Sequence, residues 1–216
     1  VIASPQPMTS GLVNTVFTIR TTRGDFILKL IDLTNPRARS LEEYRSIEQL
    51  KRRLADEGLP VIPALRQNGD TLWPLDQTRT LIVFPQVDAR TICPPIGPMP
   101  VEACETAGDI LGRMHRLAVT ELPDTPAFSF DFSVPDQRLG EWLEQADVEM
   151  QRREQILQIN QTCFDAQPRL MRHAVYGHGD YFPHNLIFDA DRKAYVIDFE
   201  MAGLISPDME LVLASI

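Results

Sequence analysis

HGDYFPHNLIFDADRKAYVIDFE, residues 178–200, sets His178, Asp180, His184, Asn185, Asp198 and Glu200 around two short apolar runs. Leu186-Ile187-Phe188 and Tyr195-Val196-Ile197 are β-prone, and the polar residues between them centre on Asp191-Arg192, so a hairpin is predicted. Pairing symmetric about that turn puts 189 opposite 194, 187 opposite 196 and 185 opposite 198. Cross-strand partners lie roughly 5 Å apart at Cβ. Asn185 and Asp198 should then converge at the open end of the hairpin, and Asp180 is close enough in sequence to share that end through the intervening loop. An amide oxygen with two carboxylates is a hard-oxygen set of the kind Mg²⁺ prefers. A surface hairpin whose end is simply polar is the other reading of the same residues.

His178-Gly179-Asp180, then Asn185, then Ile197-Asp198-Phe199-Glu200 resembles the catalytic loop and metal-binding segment of the aminoglycoside phosphotransferase family. That family also takes in choline-kinase-like and homoserine-kinase-like small-molecule kinases. The resemblance implies an α+β, two-lobed protein-kinase-like fold. Its N-lobe, residues 1–88, would be antiparallel sheet with one helix, and its C-lobe, residues 89–216, mostly helical with the catalytic loop and hairpin. It also implies that Asp180 accepts or orients the proton of a substrate hydroxyl, and that Asn185 and Asp198 hold Mg²⁺ against the phosphates of ATP. His178 is expected to fix the loop by bonding backbone.

The rest of the chain follows in the order such a kinase requires. Val13–Ile19 and Phe26–Leu30 form a second predicted hairpin, with Gly24 in its turn. Lys29 interrupts an apolar strand; a lysine so placed usually snorkels at a sheet edge, whereas the kinase pattern makes it the nucleotide lysine. Ser10 to Asn14 would be the preceding phosphate-covering loop, which brings Asn14 into the nucleotide site. Residues 40–57 read as an amphipathic helix, with Ser40 as N-cap, Gly58 as stop, and Leu41, Tyr44, Ile47, Leu50 and Leu54 in one stripe. The glutamate expected to pair with Lys29 is Glu43, which falls within that stripe, with Glu48 second. Thr80–Phe84 is a strand, and Gln86 and Val87 stand where the resemblance places the hinge that faces adenine. The Pro-rich stretch 93–100 marks a boundary near the lobe junction. His115 closes a helix over 101–118 and reads as a satisfied core or interface histidine. Residues 136–166 form a long charged helical region in the part of the chain where relatives build the acceptor wall.

Composition narrows the function. With 44% hydrophobic and 24% charged residues the chain is an ordinary globular sequence. No run approaches the roughly 18 apolar residues of a membrane span, and the N-terminus lacks a signal-peptide layout. Cys93, Cys104 and Cys163 are odd in number and widely spaced, so no disulfide framework or zinc site is expected, and the protein is read as cytoplasmic. A net charge of −9 disfavours nucleic acid as a partner. Only 18 residues follow Asp198, fewer than the family usually carries, and the sequence leaves open whether the C-terminal part of the acceptor pocket is present.

The function expected is therefore an ATP-dependent transfer of the γ-phosphate to a hydroxyl of a small molecule that is aminoglycoside-, choline- or homoserine-like. A catalytically inactive nucleotide-binding module of the same fold is the alternative. A metal-dependent hydrolase ranks last, because it leaves Lys29 and the hinge unused.

Overall fold

Alternation of apolar residues on either side of Gly24 produces the first hairpin of the chain. In a computed structural model that describes residues 6–7, 14–36, 38–90, 99–117, 140–141, 143–144, 146 and 149–214, strands β2 (Thr15–Thr21) and β3 (Gly24–Asp32) pair antiparallel from Thr21 opposite Gly24 to Thr15 opposite Leu30. Gly24 has φ +127°, a conformation L side chains rarely adopt. Strands β1 (Gln6–Pro7), β4 (Leu72–Pro74) and β5 (Arg79–Pro85) complete a five-stranded antiparallel sheet in the order β1-β2-β3-β5-β4. Lys29 is therefore on the middle strand, opposite Val16 on one side and Ile82 on the other, and not at an edge.

Helix α1 (Leu41–Asp56) begins and ends at the residues its sequence marks. Ser40 accepts the Glu43 N–H at 3.2 Å while the Glu43 carboxylate accepts the Ser40 N–H at 2.8 Å, which is a capping box. At the other end Gly58, at φ +77°, turns the chain, and the Leu59 N–H donates to the Leu54 carbonyl at 2.9 Å. The apolar stripe is shared between two clusters. Tyr44 packs with Ile31, Ala64, Leu72 and Ile82 against the sheet. Ile47, Leu50 and Leu54 pack instead with Ile110, Leu111 and Met114 of helix α2 (Val101–Arg116) and with Tyr181, Leu186, Val196 and Phe199. The segment after α1 binds the same body, since the Val196 N–H donates to the Pro60 carbonyl at 2.8 Å. Helix α1 thus ties the sheet to the 178–200 segment.

That segment is framed by two small sheets. Strands β6 (Ala89–Arg90), β8 (Leu186–Asp189) and β9 (Ala194–Val196) form one, and β7 (Val175–Gly177) with β10 (Gly203–Ile205) forms the other. The hairpin exists as expected, but its register differs by one residue. Leu186 faces Val196, Ile187 faces Tyr195 and Phe188 faces Ala194. The turn explains the shift. Asp189 Oδ1 accepts the N–H groups of Asp191 at 3.0 Å and Lys193 at 2.9 Å, and Arg192 takes a left-handed φ of +62°. The loop therefore has an odd number of residues and is centred on Asp191 alone.

Helices α3 (Met150–Leu170) and α4 (Pro207–Ala214) complete the described elements. The phosphate-loop residues 10–13, the boundary stretch 91–98 and most of 118–148, including Trp142, lie outside the described residues. No helix among those described is long and apolar enough to cross a membrane.

Leu54 is 1% exposed at the join between α1 and the lower cluster, whereas Leu75 is 54% exposed. Leu54→Ala is expected to lower the unfolding free energy by about 2–5 kcal/mol. Leu75→Ala should change it by less than about 0.5 kcal/mol, with urea denaturation giving both values.

Candidate active site

Residues 177–185 leave β7 as a tight loop, and two glycines make its path possible. A Cβ on Gly177 would overlap the Glu210 carboxylate and the Ile205 side chain. Gly179 has φ +76°, and a Cβ there would meet the Met201 carbonyl. Between them His178 is fully buried. Its Nδ1 accepts the Asp180 N–H at 3.2 Å, so Nε2 carries the proton and donates to the Ile197 carbonyl at 2.8 Å. The imidazole also lies against Phe199, with ring centroids 4.4 Å apart and the planes tilted by 55°. His178 joins the catalytic loop to the far strand of the hairpin, in the structural role its sequence suggested.

Glu210 is the residue the sequence reading missed. It lies on α4 with 0% exposure, accepts the Gly179 N–H at 2.7 Å, and meets His115 Nε2 at 2.7 Å through its other oxygen. His115 is thereby a satisfied interface histidine. The available signal was a glutamate in the apolar run Met209-Glu210-Leu211-Val212-Leu213, since a charge placed there has to find a partner.

Asp180 and Asn185 are brought into direct contact. The Asn185 Nδ2 donates to the Asp180 carbonyl at 2.8 Å and to Asp180 Oδ2 at 3.0 Å, across a 3-10 turn at Pro183–Asn185. Both amide N–H groups are used on Asp180, so Asn185 Oδ1 is the atom left to face a cation. Asp198 does not stand opposite Asn185. Because of the register shift the Ile197 N–H donates to the Asn185 carbonyl at 2.9 Å, and Asp198 lies one residue beyond. Its backbone is left-handed, at φ +62° and ψ +58°, and aims its half-exposed carboxylate toward the sheet.

There it meets Lys29. Lys29 Nζ lies 3.1 Å from Asp198 Oδ1 and also contacts Glu200, with the lysine side chain only 14% exposed. Burial pulls the Lys29 amine below its ordinary pKa, against the opposing attraction of Asp198 and Glu48. Glu200 in turn accepts Asn14 Nδ2 at 2.6 Å, and Asn14 Nδ2 lies 3.3 Å from the Tyr44 hydroxyl. Asn14 Oδ1 is buried with no partner among the described residues.

Glu43 is not beside Lys29. Its carboxylate is held by Ser40, with Arg39 Nη1 at 3.9 Å, so the expected pairing with Lys29 is corrected. Glu48, the second choice, is buried and bonds Lys51 at 2.7 Å and the Ala64 N–H at 2.8 Å. Residues 86–88 connect β5 to β6, and the Gln86 N–H is spent on the Asp25 carbonyl at 3.0 Å.

Among the described residues no three His, Cys, Asp or Glu side chains converge as a metal cage. Asn185 Oδ1 and the Asp198 carboxylate offer oxygen ligands only, with the Lys29 cation already on that carboxylate. Mg²⁺ fits such a set, because it keeps several waters and takes phosphate oxygens to complete its shell.

This α+β fold, an antiparallel sheet whose central lysine reaches Asp198, is of the protein-kinase-like class. The profile of the phosphotransferase enzyme family matches residues 4–215, and the chain belongs to that family. It is 27% identical over 209 residues to a homoserine kinase of Methylobacillus flagellatus, which covers 91% of this chain and 58% of that protein. Among solved structures it is similar to the amicoumacin kinase hAmiN in complex with AMP-PNP, Ca²⁺ and its ligand Ami, with TM-score 0.70, 13% identity, and 97% of this chain and 62% of the other covered. It is similar also to a microcompartment-associated aminopropanol kinase, with TM-score 0.68, 17% identity, and coverage of 98% and 69%. The chain thus spans about three fifths of the length of the first two.

Burial holds the His178 pKa below its ordinary value, and Ile197, Glu210, Asp180 and Asp198 oppose that shift without reversing it. The unfolded imidazole, with a pKa of about 6.5, takes a proton that the folded one refuses. The stability is therefore complete above that value and declines as the pH falls from it toward the lower folded pKa. Urea midpoints at pH 7.5 and 5.5 should fall further in wild type than in His178→Gln. Equal slopes would contradict the assignment.

Proposed function

We propose that the chain is the nucleotide-binding and catalytic part of an ATP-dependent phosphotransferase that moves the γ-phosphate of ATP to a hydroxyl of a small molecule. The observation that carries this reading is the Lys29 amine on Asp198, which sets the phosphate-binding cation of the sheet next to the metal-binding end of the hairpin. Asp180 is held by Asn185, whose carbonyl accepts the Ile197 N–H one residue before Asp198.

Asn185 Oδ1 and Asp198 would hold Mg²⁺, which when bound supplies the charge that neutralises the transferring phosphate. Asp180 orients the acceptor hydroxyl and takes its proton as the O–P bond forms. The Asn185 amide holds one oxygen of that carboxylate and leaves the other for the hydroxyl. Lys29 exchanges Asp198 for the α- and β-phosphates. Phosphoryl transfer asks little covalent work of a protein, and placing these groups is most of the catalysis. At the hinge we place adenine against Val87, because Gln86 already bonds the sheet.

We keep the division into an N-lobe of 1–88 and a C-lobe of 89–216 as the frame for this reading, with α1 as the element that couples them. The cysteine usage supports a reducing, cytoplasmic setting. The acceptor is a hydroxylated small molecule, and the similarity to kinases of homoserine and aminopropanol makes amino alcohols the first class to try.

A panel of homoserine, aminopropanol, choline and aminoglycosides with Mg²⁺-ATP, followed by nucleoside diphosphate release, tests this. Acceptor-dependent turnover is expected, and Asp180→Ala should lower it at least about a hundredfold. Nucleotide binding without stimulation by any acceptor would move the chain to the inactive-module reading. Turnover unaffected by the substitution would break the assignment of Asp180.

A further inference from the structure

Three basic side chains gather at the end of α3 without acidic partners. Helix α3 runs directly into a 3-10 turn at Met171–His173, so Arg169 in its last turn is followed three residues later by Arg172 and then by His173. Residues three apart on helical backbone share a face. Strand β7 begins two residues after His173 and pairs with β10, Val175 opposite Ile205. Ser206, the residue after β10, is thereby set beside those that lead into β7. Arg169, Arg172, His173, Ser206, Pro207 and Asp208 line one cavity of about 420 Å³. That lies within the roughly 300–1,000 Å³ of small-ligand sites. None of the six is among the residues placed at the nucleotide cleft.

The donors of this cavity are unspent. Among the described residues, Arg169, Arg172 and His173 make no ion pair or hydrogen bond through their side chains. Ser206 is 1% exposed, and its carbonyl accepts the N–H groups of Met209 and Glu210 at 3.0 Å, but its hydroxyl bonds none of the described residues. A hydroxyl buried to that degree ordinarily has a partner, because leaving the bond unmade costs its desolvation. Ser206 also opens α4, where the aligned peptides leave a partial positive charge and the Asp208 N–H has no acceptor within the helix. The Asp208 carboxylate supplies an opposing charge in the same cavity, yet it forms no ion pair with either arginine. In a chain of 30 acidic and 21 basic residues, two adjacent cations without a counter-charge repel each other unless an anion sits between them.

We propose that this cavity binds a phosphate group, as inorganic phosphate or as the phosphate of a small phosphorylated molecule, at a site separate from the nucleotide cleft. The two guanidinium groups present planar forks to its oxygens. The Ser206 hydroxyl and the Asp208 N–H donate from the start of α4, and His173 adds a ring N–H. These donors belong to two different elements. A tetrahedral phosphate offers oxygens in several directions at once, whereas the two oxygens of a carboxylate lie in one plane, so phosphate suits the cavity better. The Asp208 carboxylate repels the anion and leaves it on the arginine side. Helix α4 also carries Glu210, which holds the Gly179 N–H. An anion at the first turn of α4 therefore steadies the helix that anchors the 177–185 loop. The site does not depend on the phosphotransferase reading.

Calorimetric titration with sodium phosphate at constant ionic strength tests the site, with sodium chloride as the control. Wild type is compared with the double variant Arg169→Gln/Arg172→Gln, with Ser206→Ala, and with Lys29→Met, which removes the cation of the nucleotide cleft. Saturable phosphate binding is expected in wild type. It should weaken at least about tenfold in the arginine variant and about threefold or more in Ser206→Ala, and stay within about twofold of wild type in Lys29→Met. Phosphate should raise the thermal midpoint of wild type and Lys29→Met but not that of the arginine variant. Both arginines are exposed, so the midpoint without phosphate is expected to survive their replacement. Titration with O-phosphoserine separates the two sources. Tighter binding than phosphate identifies a carried group, weaker binding identifies the free ion, and either upholds the site. Affinity lost in Lys29→Met and kept in the arginine variant would put the ion in the nucleotide cleft and overturn the proposal. Binding that chloride reproduces and Ser206→Ala leaves untouched would be general charge attraction and would overturn it too, as would no saturable binding at millimolar phosphate.

Discussion

A lysine amine 3.1 Å from the Asp198 carboxylate and in contact with Glu200 joins the middle strand of the sheet to the end of the catalytic hairpin. Most of the rest of the structure serves to bring those two places together. Lys29 is central in the sheet because β2 and β5 flank β3, and its amine is drawn into a mostly buried position that the carboxylates compensate. Asp198 faces the sheet because its left-handed backbone turns it out of the strand direction immediately after β9. Helix α1 spans the gap between these elements. It places Tyr44 against the sheet and Ile47, Leu50 and Leu54 against the hairpin's own core.

The 177–185 loop is fixed by two buried side chains, His178 and Glu210, whose hydrogen-bonding atoms are paired. His178 binds the Asp180 N–H on one side and the Ile197 carbonyl on the other, so one neutral ring sets the distance between the loop and the strand that ends in Asp198. Glu210 performs the parallel task for Gly179, and its other oxygen is bonded to His115 Nε2. Such a network is rigid only when fully satisfied, since each buried group that loses a partner bears the whole cost of its desolvation. The two glycines belong to the same arrangement, for the backbone must pass where side chains from α4 and the turn at Phe199–Met201 already stand.

How much of this was legible in the sequence depended on how local the cause was. The first hairpin, the stripe of α1, its Ser40 cap and its Gly58 stop all follow from periodicity and capping over a few residues. Asp180, Asn185 and Asp198 were singled out by their spacing and their resemblance to a family, and the structure brings the first two into contact. The register of the second hairpin was not, because a left-handed Arg192 and an Asp189 side chain that caps the turn move its centre by half a residue. Glu43 was misplaced for an instructive reason. Ser40-Leu41-Glu42-Glu43 is itself a capping-box pattern, and that local demand on the carboxylate outweighs the long-range one expected of it. The pairing of Glu48 with Lys51, one helical turn apart, could equally have been suspected from spacing alone. Glu200, Glu210 and the central place of β3 depend on strand order and on contacts across 100 residues or more in the case of Asn14 and Glu200, and no local pattern contains that information.

The measurement that bears most directly on this account is a crystal structure of the protein with Mg²⁺ and a non-hydrolysable ATP analogue. The account predicts metal between Asn185 and Asp198, Lys29 Nζ moved from Asp198 onto the α- and β-phosphates, and adenine at the hinge beside Val87. A nucleotide seated elsewhere, or one bound in the cleft with Lys29 still on Asp198 and out of reach of phosphate, would contradict it.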